Sequence, residues 1–139
     1  MRSFLIFYIS PPDEFIIWQS PSSAGYDLIF CADILWDTFS HPSLLHTLTP
    51  LLSRTPFSRI IVISGLHTGR APLARFIRLA AARGLVVDKT GSYQSDEALK
   101  EIEVGGEVRE WDEDRPDEDV RVRNRWTLEF MLMWKDFCH

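Results

Sequence analysis

The chain is poor in cysteine. Its 139 residues include two, Cys31 and Cys138, too far apart in sequence to read as a disulfide framework. Cys31 lies inside an apolar run and reads as a reduced core thiol. His41, His46 and His67 show no metal-ligand spacing with a cysteine or an acid, so no metal site is expected. A basic excess is also lacking. Fifteen Lys and Arg face twenty Asp and Glu, a net charge of -5, which argues against a general nucleic-acid binder. No apolar run approaches the roughly 20 residues of a membrane span. The opening FLIFYI is short, interrupted by Pro11, Pro12, Asp13 and Glu14, and followed by no small-x-small cleavage site, which disfavours a signal peptide. The expected compartment is the cytosol, with the nucleus as the second choice. Ser64-Gly65 lacks the G-x-S-x-G elbow, so a serine hydrolase is unsupported.

What is present follows α/β grammar. Residues 4–9 and 14–18 are apolar and β-prone and predict two short strands. The stretch QSPSSAG at 19–25 predicts a loop. Residues 26–32 form a near-continuous apolar run broken by Asp27, as in a strand buried on both faces of a parallel sheet. A helix is predicted over 40–53, started by Ser40 or His41 with Pro42 and carrying Leu44, Leu45, Leu48, Leu51 and Leu52 on one face. RIIVIS at 59–64 predicts the next strand. Pro72 opens a second helix with Leu73, Phe76, Ile77, Ala80 and Ala81 inward and Gly84 as its stop. Residues 85–88 predict a third strand. Right-handed crossovers and a largely parallel sheet follow. Beyond it, 96–103 predicts a short helix and 104–119 an exposed acidic loop. Arg121, Arg123 and Arg125 predict the solvent face of a strand, and WTLEFMLMW at 126–134 a long final strand, antiparallel within the sheet. The expected organisation is one domain over 1–139. It divides into an irregular 1–25, an α/β core at 26–93, a helix and acidic loop at 94–125, and the final strand at 126–134.

The segment YDLIFCAD at 26–33, followed by Asp33-Ile34-Leu35-Trp36 and His41-Pro42-Ser43-Leu44-Leu45, resembles the middle of class I, seven-strand S-adenosylmethionine-dependent methyltransferases. The branch it resembles contains protein-lysine methyltransferases and fungal nicotinamide N-methyltransferase-like proteins. Ser53-Arg54-Thr55-Pro56 and the ending at 111–130 are similar to fungal members. The resemblance implies a Rossmann-like sheet represented by its C-terminal portion. It also implies methyl transfer to an amine nitrogen of a protein lysine or a nicotinamide-like small molecule, with S-adenosylmethionine as cofactor. Carried across, Trp18 and Ala32 correspond to the adenine pocket. Asp33 and Trp36 correspond to the acceptor side, where a carboxylate orients an amine and an aromatic face suits a methylammonium. No partner nucleic acid or membrane is implied.

The family's Gly-rich turn after a first strand is missing. The seven glycines, at 25, 65, 69, 84, 91, 105 and 106, form no such turn, and no acid fits the end of a second strand. The expected sheet is therefore incomplete, and the chain is expected to be a truncated product, a degenerate relative or one half of a pair. Its 26–32 strand would carry an open edge, available for pairing, unless 4–9 covers it. Two further readings stand beside the enzyme: a catalytically inactive pseudoenzyme kept as an interaction module, and an unrelated α/β binding domain. Each site residue also has a plainer account. Asp33 caps a turn, Trp36 and Trp18 pack in a core, His67 is an ordinary loop residue, and the acids at 107–119 are solvated or guide a basic protein.

Overall fold

The computed structural model describes the backbone of residues 4–10 and 14–15, and the residues 25–90, 98–116 and 118–138. Eight strands are described, in one mixed sheet of order β2-β1-β3-β4-β8-β6-β7, with β5 also beside β8. They are β1 (Phe4–Ser10), β2 (Glu14–Phe15), β3 (Leu28–Ala32), β4 (Arg59–Gly65), β5 (Leu85–Val87), β6 (Lys100–Glu103), β7 (Val108–Glu110) and β8 (Trp126–Trp134). The helices are α1 (His41–Leu51), α2 (Ala71–Ala82) and the single turn α3 (Val120–Arg123). The chain is thus α/β with parallel and antiparallel pairs in one sheet.

β1, β3 and β4 run parallel, in the register Leu5–Ile29–Ile60 and Phe7–Cys31–Val62. β1 therefore covers the β3 edge that the sequence left open. Opposite β4 the next strand is β8, antiparallel and internal as expected, but the largely parallel sheet expected around it is not formed, because β5 and β6 also pair antiparallel with β8. Side chains alternate across this pleat. Rows Ile29–Ile60–Leu132 and Cys31–Val62–Phe130 point to one face, and all six are buried. Leu45 and Leu48 of α1 and Leu73, Phe76 and Ala80 of α2 complete that cluster. Burial pushes the Cys31 thiol far above its ordinary value, which keeps it protonated and inert.

Both-face burial of 26–32 does not occur. Leu28, Phe30 and Ala32 stay half-buried, because α1 and α2 join one cluster on the face of Ile29 and Cys31. Tyr26 precedes the strand and makes a single bridge to Leu52. Pro42 and Pro72 sit in the first turns of α1 and α2, where a missing N–H costs nothing. Gly84 ends α2 with φ +85, a conformation that disfavours a side chain, and its carbonyl accepts the Lys135 N–H at 2.8 Å. Ala81, expected inward, is exposed.

The second half departs further. Residues 100–103 form a strand instead of the tail of a helix, because β8 offers an unpaired edge that β6 fills in the register Glu101–Leu128. β7 returns along β6 in a hairpin where an exposed loop was expected. Arg121 and Arg123 lie in α3, not in a strand, because the Asp119 carboxylate accepts the Arg121 N–H at 2.8 Å and caps a turn. No helix among the described residues is long and apolar enough to cross a membrane.

Phe76 is fully buried and meets the His41 ring edge-on at a centroid distance of 5.2 Å. Replacing it with alanine is expected to lower unfolding free energy by about 3–5 kcal/mol. Urea denaturation followed by circular dichroism measures this, and an unchanged midpoint would contradict the packing described.

Candidate functional site

The carboxyl ends of parallel strands are where open α/β sheets place ligands. β3 ends at Ala32 opposite Ile63, and β4 runs two residues farther, to Gly65. The Asp33 N–H donates to the Ile63 carbonyl at 2.8 Å, one bond beyond the strand. The chain then turns sharply: Asp33 has φ +54, a left-handed conformation that Asp tolerates better than most residues. That turn sends Ile34 and Leu35 into the core and leaves Asp33 and Trp36 outside, with Trp36 49% exposed. The core-packing account of Trp36 is thereby excluded.

The loop after Asp33 is held from below. His41, fully buried, donates from Nε2 to the Leu35 carbonyl at 2.8 Å. Its Nδ1 has no partner among the described residues, which fits the tautomer that carries its proton on Nε2. The Asp37 carboxylate accepts the Phe39 N–H at 3.0 Å and starts a short helical turn before α1. Sequence reasoning saw His41 only as a helix start. Its hold on the loop has no local sequence signal, since the contact spans six residues through the fold.

Gly65 closes the other side of the site. A Cβ there would stand 2.8 Å from His67 Nδ1 and 3.7 Å from Asp33 Oδ1. The absent side chain thus lets an imidazole and a carboxylate flank one point at the end of β4. His67, Asp33 and Trp36 are exposed, and Ala32 is half-buried at the end of β3. Trp18 lies outside the described residues.

Farther along the same edge, beside β8, lies a buried ion cluster. Glu101 has no exposed surface and faces the helix side of the sheet beside Leu128. Arg70, the residue before α2, donates to its two carboxylate oxygens at 2.7 and 3.0 Å. Arg109 donates to Glu101 at 3.0 Å and stacks on Trp126 with its guanidinium carbon 3.7 Å from the ring centre. Glu118 receives both Arg70 and Arg109. Burial alone would push the Glu101 carboxyl up. The hydrogen bonds and charges of Arg70 and Arg109 outweigh it and hold the carboxyl below the usual carboxylate range.

Among the described residues no three His, Cys, Asp or Glu side chains converge as a metal site. The Gly-rich turn of the family it resembles has no counterpart in the sequence given. No glycine precedes Gly25, and β1 is followed by Pro11 and Pro12, which have no N–H to offer a bound carboxylate. No protein-family model matches the chain, and no curated protein matches it.

Replacing Glu101 with glutamine leaves Arg70 buried and short of its counter-charge, and is expected to cost about 3–5 kcal/mol. The pH dependence has a definite sign. A carboxyl depressed by folding stabilises fully above its unfolded value, about 4.3, and that stability is lost as pH falls through the lower folded value. The acid limb of wild-type unfolding below about pH 4 is therefore expected to flatten in Glu101→Gln, as thermal melts across pH would show.

Proposed function

We propose that this chain is an α/β domain of the class I methyltransferase type that carries the acceptor side of an N-methylation site. Its acceptor is an amine nitrogen, on a protein lysine or a nicotinamide-like molecule. The observation that carries the reading is the left-handed Asp33, whose carboxylate sits beside Gly65 at the carboxyl end of β4, with exposed Trp36 three residues on. A carboxylate holds an ammonium by charge and hydrogen bonds, and an aromatic face attracts an alkylated one. The reversed β8 lying inside the sheet supports the same reading.

S-adenosylmethionine supplies the methyl group in the proteins this chain resembles. The part assigned to these residues is confined to the acceptor: Asp33 orients the amine, Trp36 walls its approach, and Ala32 adjoins them. Pro11 and Pro12 after β1, where a cofactor turn would need N–H groups, favour a second reading. In it the domain binds amines without transferring methyl groups, as an interaction module.

Titrating a lysine or methyl-lysine peptide and following backbone amides by NMR tests the acceptor site. Shifts are expected at Asp33, Trp36 and His67. Asp33→Asn or Trp36→Ala is expected to weaken binding about five- to tenfold, the worth of one exposed charge or cation–π contact. Shifts confined to other regions would defeat the proposal. A melting shift with millimolar S-adenosylhomocysteine decides between the two readings: a rise supports transfer by this chain, and none supports the binding module.

A further inference from the structure

We propose that His67 is a specificity-determining residue of the amine site: its imidazole Nδ1 and the Asp33 carboxylate receive one ammonium between them, and protonation of the imidazole expels it. This inference rests on the amine reading above. Gly65 carries it. The φ of Gly65 is not positive, so the backbone there does not call for glycine. A side chain would instead displace its neighbours. The three atoms nearest to an added Cβ are His67 Nδ1 at 2.8 Å, His67 Cε1 at 3.4 Å and Asp33 Oδ1 at 3.7 Å. The missing methyl group is therefore what lets an imidazole nitrogen and a carboxylate oxygen approach one place. With 2.8 Å on one side and 3.7 Å on the other, the two acceptors stand at most 6.5 Å apart, a bound that admits one ammonium donating to both.

Neither group is spent on the protein. Among the described residues no hydrogen bond or ion pair holds the Asp33 carboxylate or the His67 imidazole, and both residues are exposed. Nδ1 is thus free to accept in one tautomer. Of the other charged groups near this end, Arg70 bonds to Glu101 and Glu118, Arg125 pairs with Glu103, and Asp37 accepts the Phe39 N–H. His41 is buried beneath the loop and bonded to the Leu35 carbonyl. Arg123 of α3 adjoins Gly69, at the other end of the 65–69 loop. β8 brings Thr127, which has no charge, opposite Gly65. A neutral imidazole accepts a hydrogen bond from an ammonium, whereas an imidazolium only donates and repels it. An imidazole titrates between pH 5 and 8, where an alkylammonium keeps its charge. His67 therefore admits the amine at neutral pH and rejects it in acid.

The experiment titrates the full chain with Nα-acetyl-lysine methylamide, and with its uncharged norleucine analogue, between pH 5 and 8 at fixed ionic strength. NMR follows the His67 Cε1–H resonance and the backbone amides. Affinity for the lysine compound is expected to fall about five- to tenfold from pH 8 to pH 5, the worth of one nearby charge and one lost hydrogen bond. By linkage, the saturating lysine compound is expected to lower the pH midpoint of the His67 resonance by about 0.7–1. The norleucine analogue is expected to leave that midpoint unmoved, and the resonances of His41 and His46 are expected not to follow it. His67→Asn, whose amide oxygen stands in for Nδ1, is expected to lose the pH dependence. His46→Gln, on the exposed side of α1, is expected to keep it. Equal affinity at pH 5 and pH 8, reported by the Asp33 and Trp36 amides with an unmoved His67 midpoint, would overturn this inference and leave the amine reading standing. No saturable binding at either pH would overturn both. The wild-type titration decides the matter even if a variant fails to fold.

Discussion

β8 takes partners on both of its edges. β4 lies along one, from Thr127 to Leu132, while the other is shared by β6 at residues 126–129 and β5 at residues 132–134. An interior strand must satisfy its N–H and C=O groups in both directions, so this nine-residue segment tolerates no proline and contains none. Its alternation then dictates what each partner must bury. Leu128 faces the helices, and register places Ser64 on one side of it and Glu101 on the other. A carboxylate is thereby carried into the core edge beneath the start of α2, and Arg70 has to be there to meet it.

That buried acid constrains more than it stabilises. Desolvating an ion pair cancels much of its attraction, and apolar residues of similar volume commonly do as well. The gain lies in register. A slip of β6 by one residue along β8 would turn Glu101 to the opposite face and strand Arg70, 7% exposed, without its counter-ion. β6 and β7 are short and mostly polar, so they carry little hydrophobic information about where to pair. The Glu101–Arg70–Arg109 group supplies it, and the stacking of Arg109 on Trp126 ties the hairpin back to β8.

The same contrast explains which parts of the fold were legible in sequence. β8, β4, α1 and α2 announce themselves because their apolar residues repeat at the period of the element. Their starts and stops are marked by Pro42, Pro72 and Gly84. KEIE at 100–103 carries one apolar residue among good helix formers, so local preference points to a helix. Only the distant edge of β8 makes it a strand. Arg121 and Arg123 alternate with valines as a strand would, yet a carboxylate two residues earlier caps them into a turn. At the candidate site, Asp33 and Trp36 were readable through a resembling motif. The positive φ of Asp33, the approach of His67 over Gly65 and the grip of His41 on Leu35 are products of tertiary packing, with no local pattern to betray them.

The loop at 65–69 joins two opposite electrical environments. Asp33 approaches its first residue and Arg123 its last. Four residue steps span at most about 14 Å when extended. The bond from Gly69 N–H to the Leu66 carbonyl, 2.9 Å, folds this loop into a turn and shortens the distance. At physiological salt the Debye length is about 8 Å, so salt weakens but does not erase the difference between the two ends. A ligand of one sign is attracted at one end and repelled at the other. A ligand bearing an amine and an oxyanion gains at both ends when aligned and loses at both when reversed.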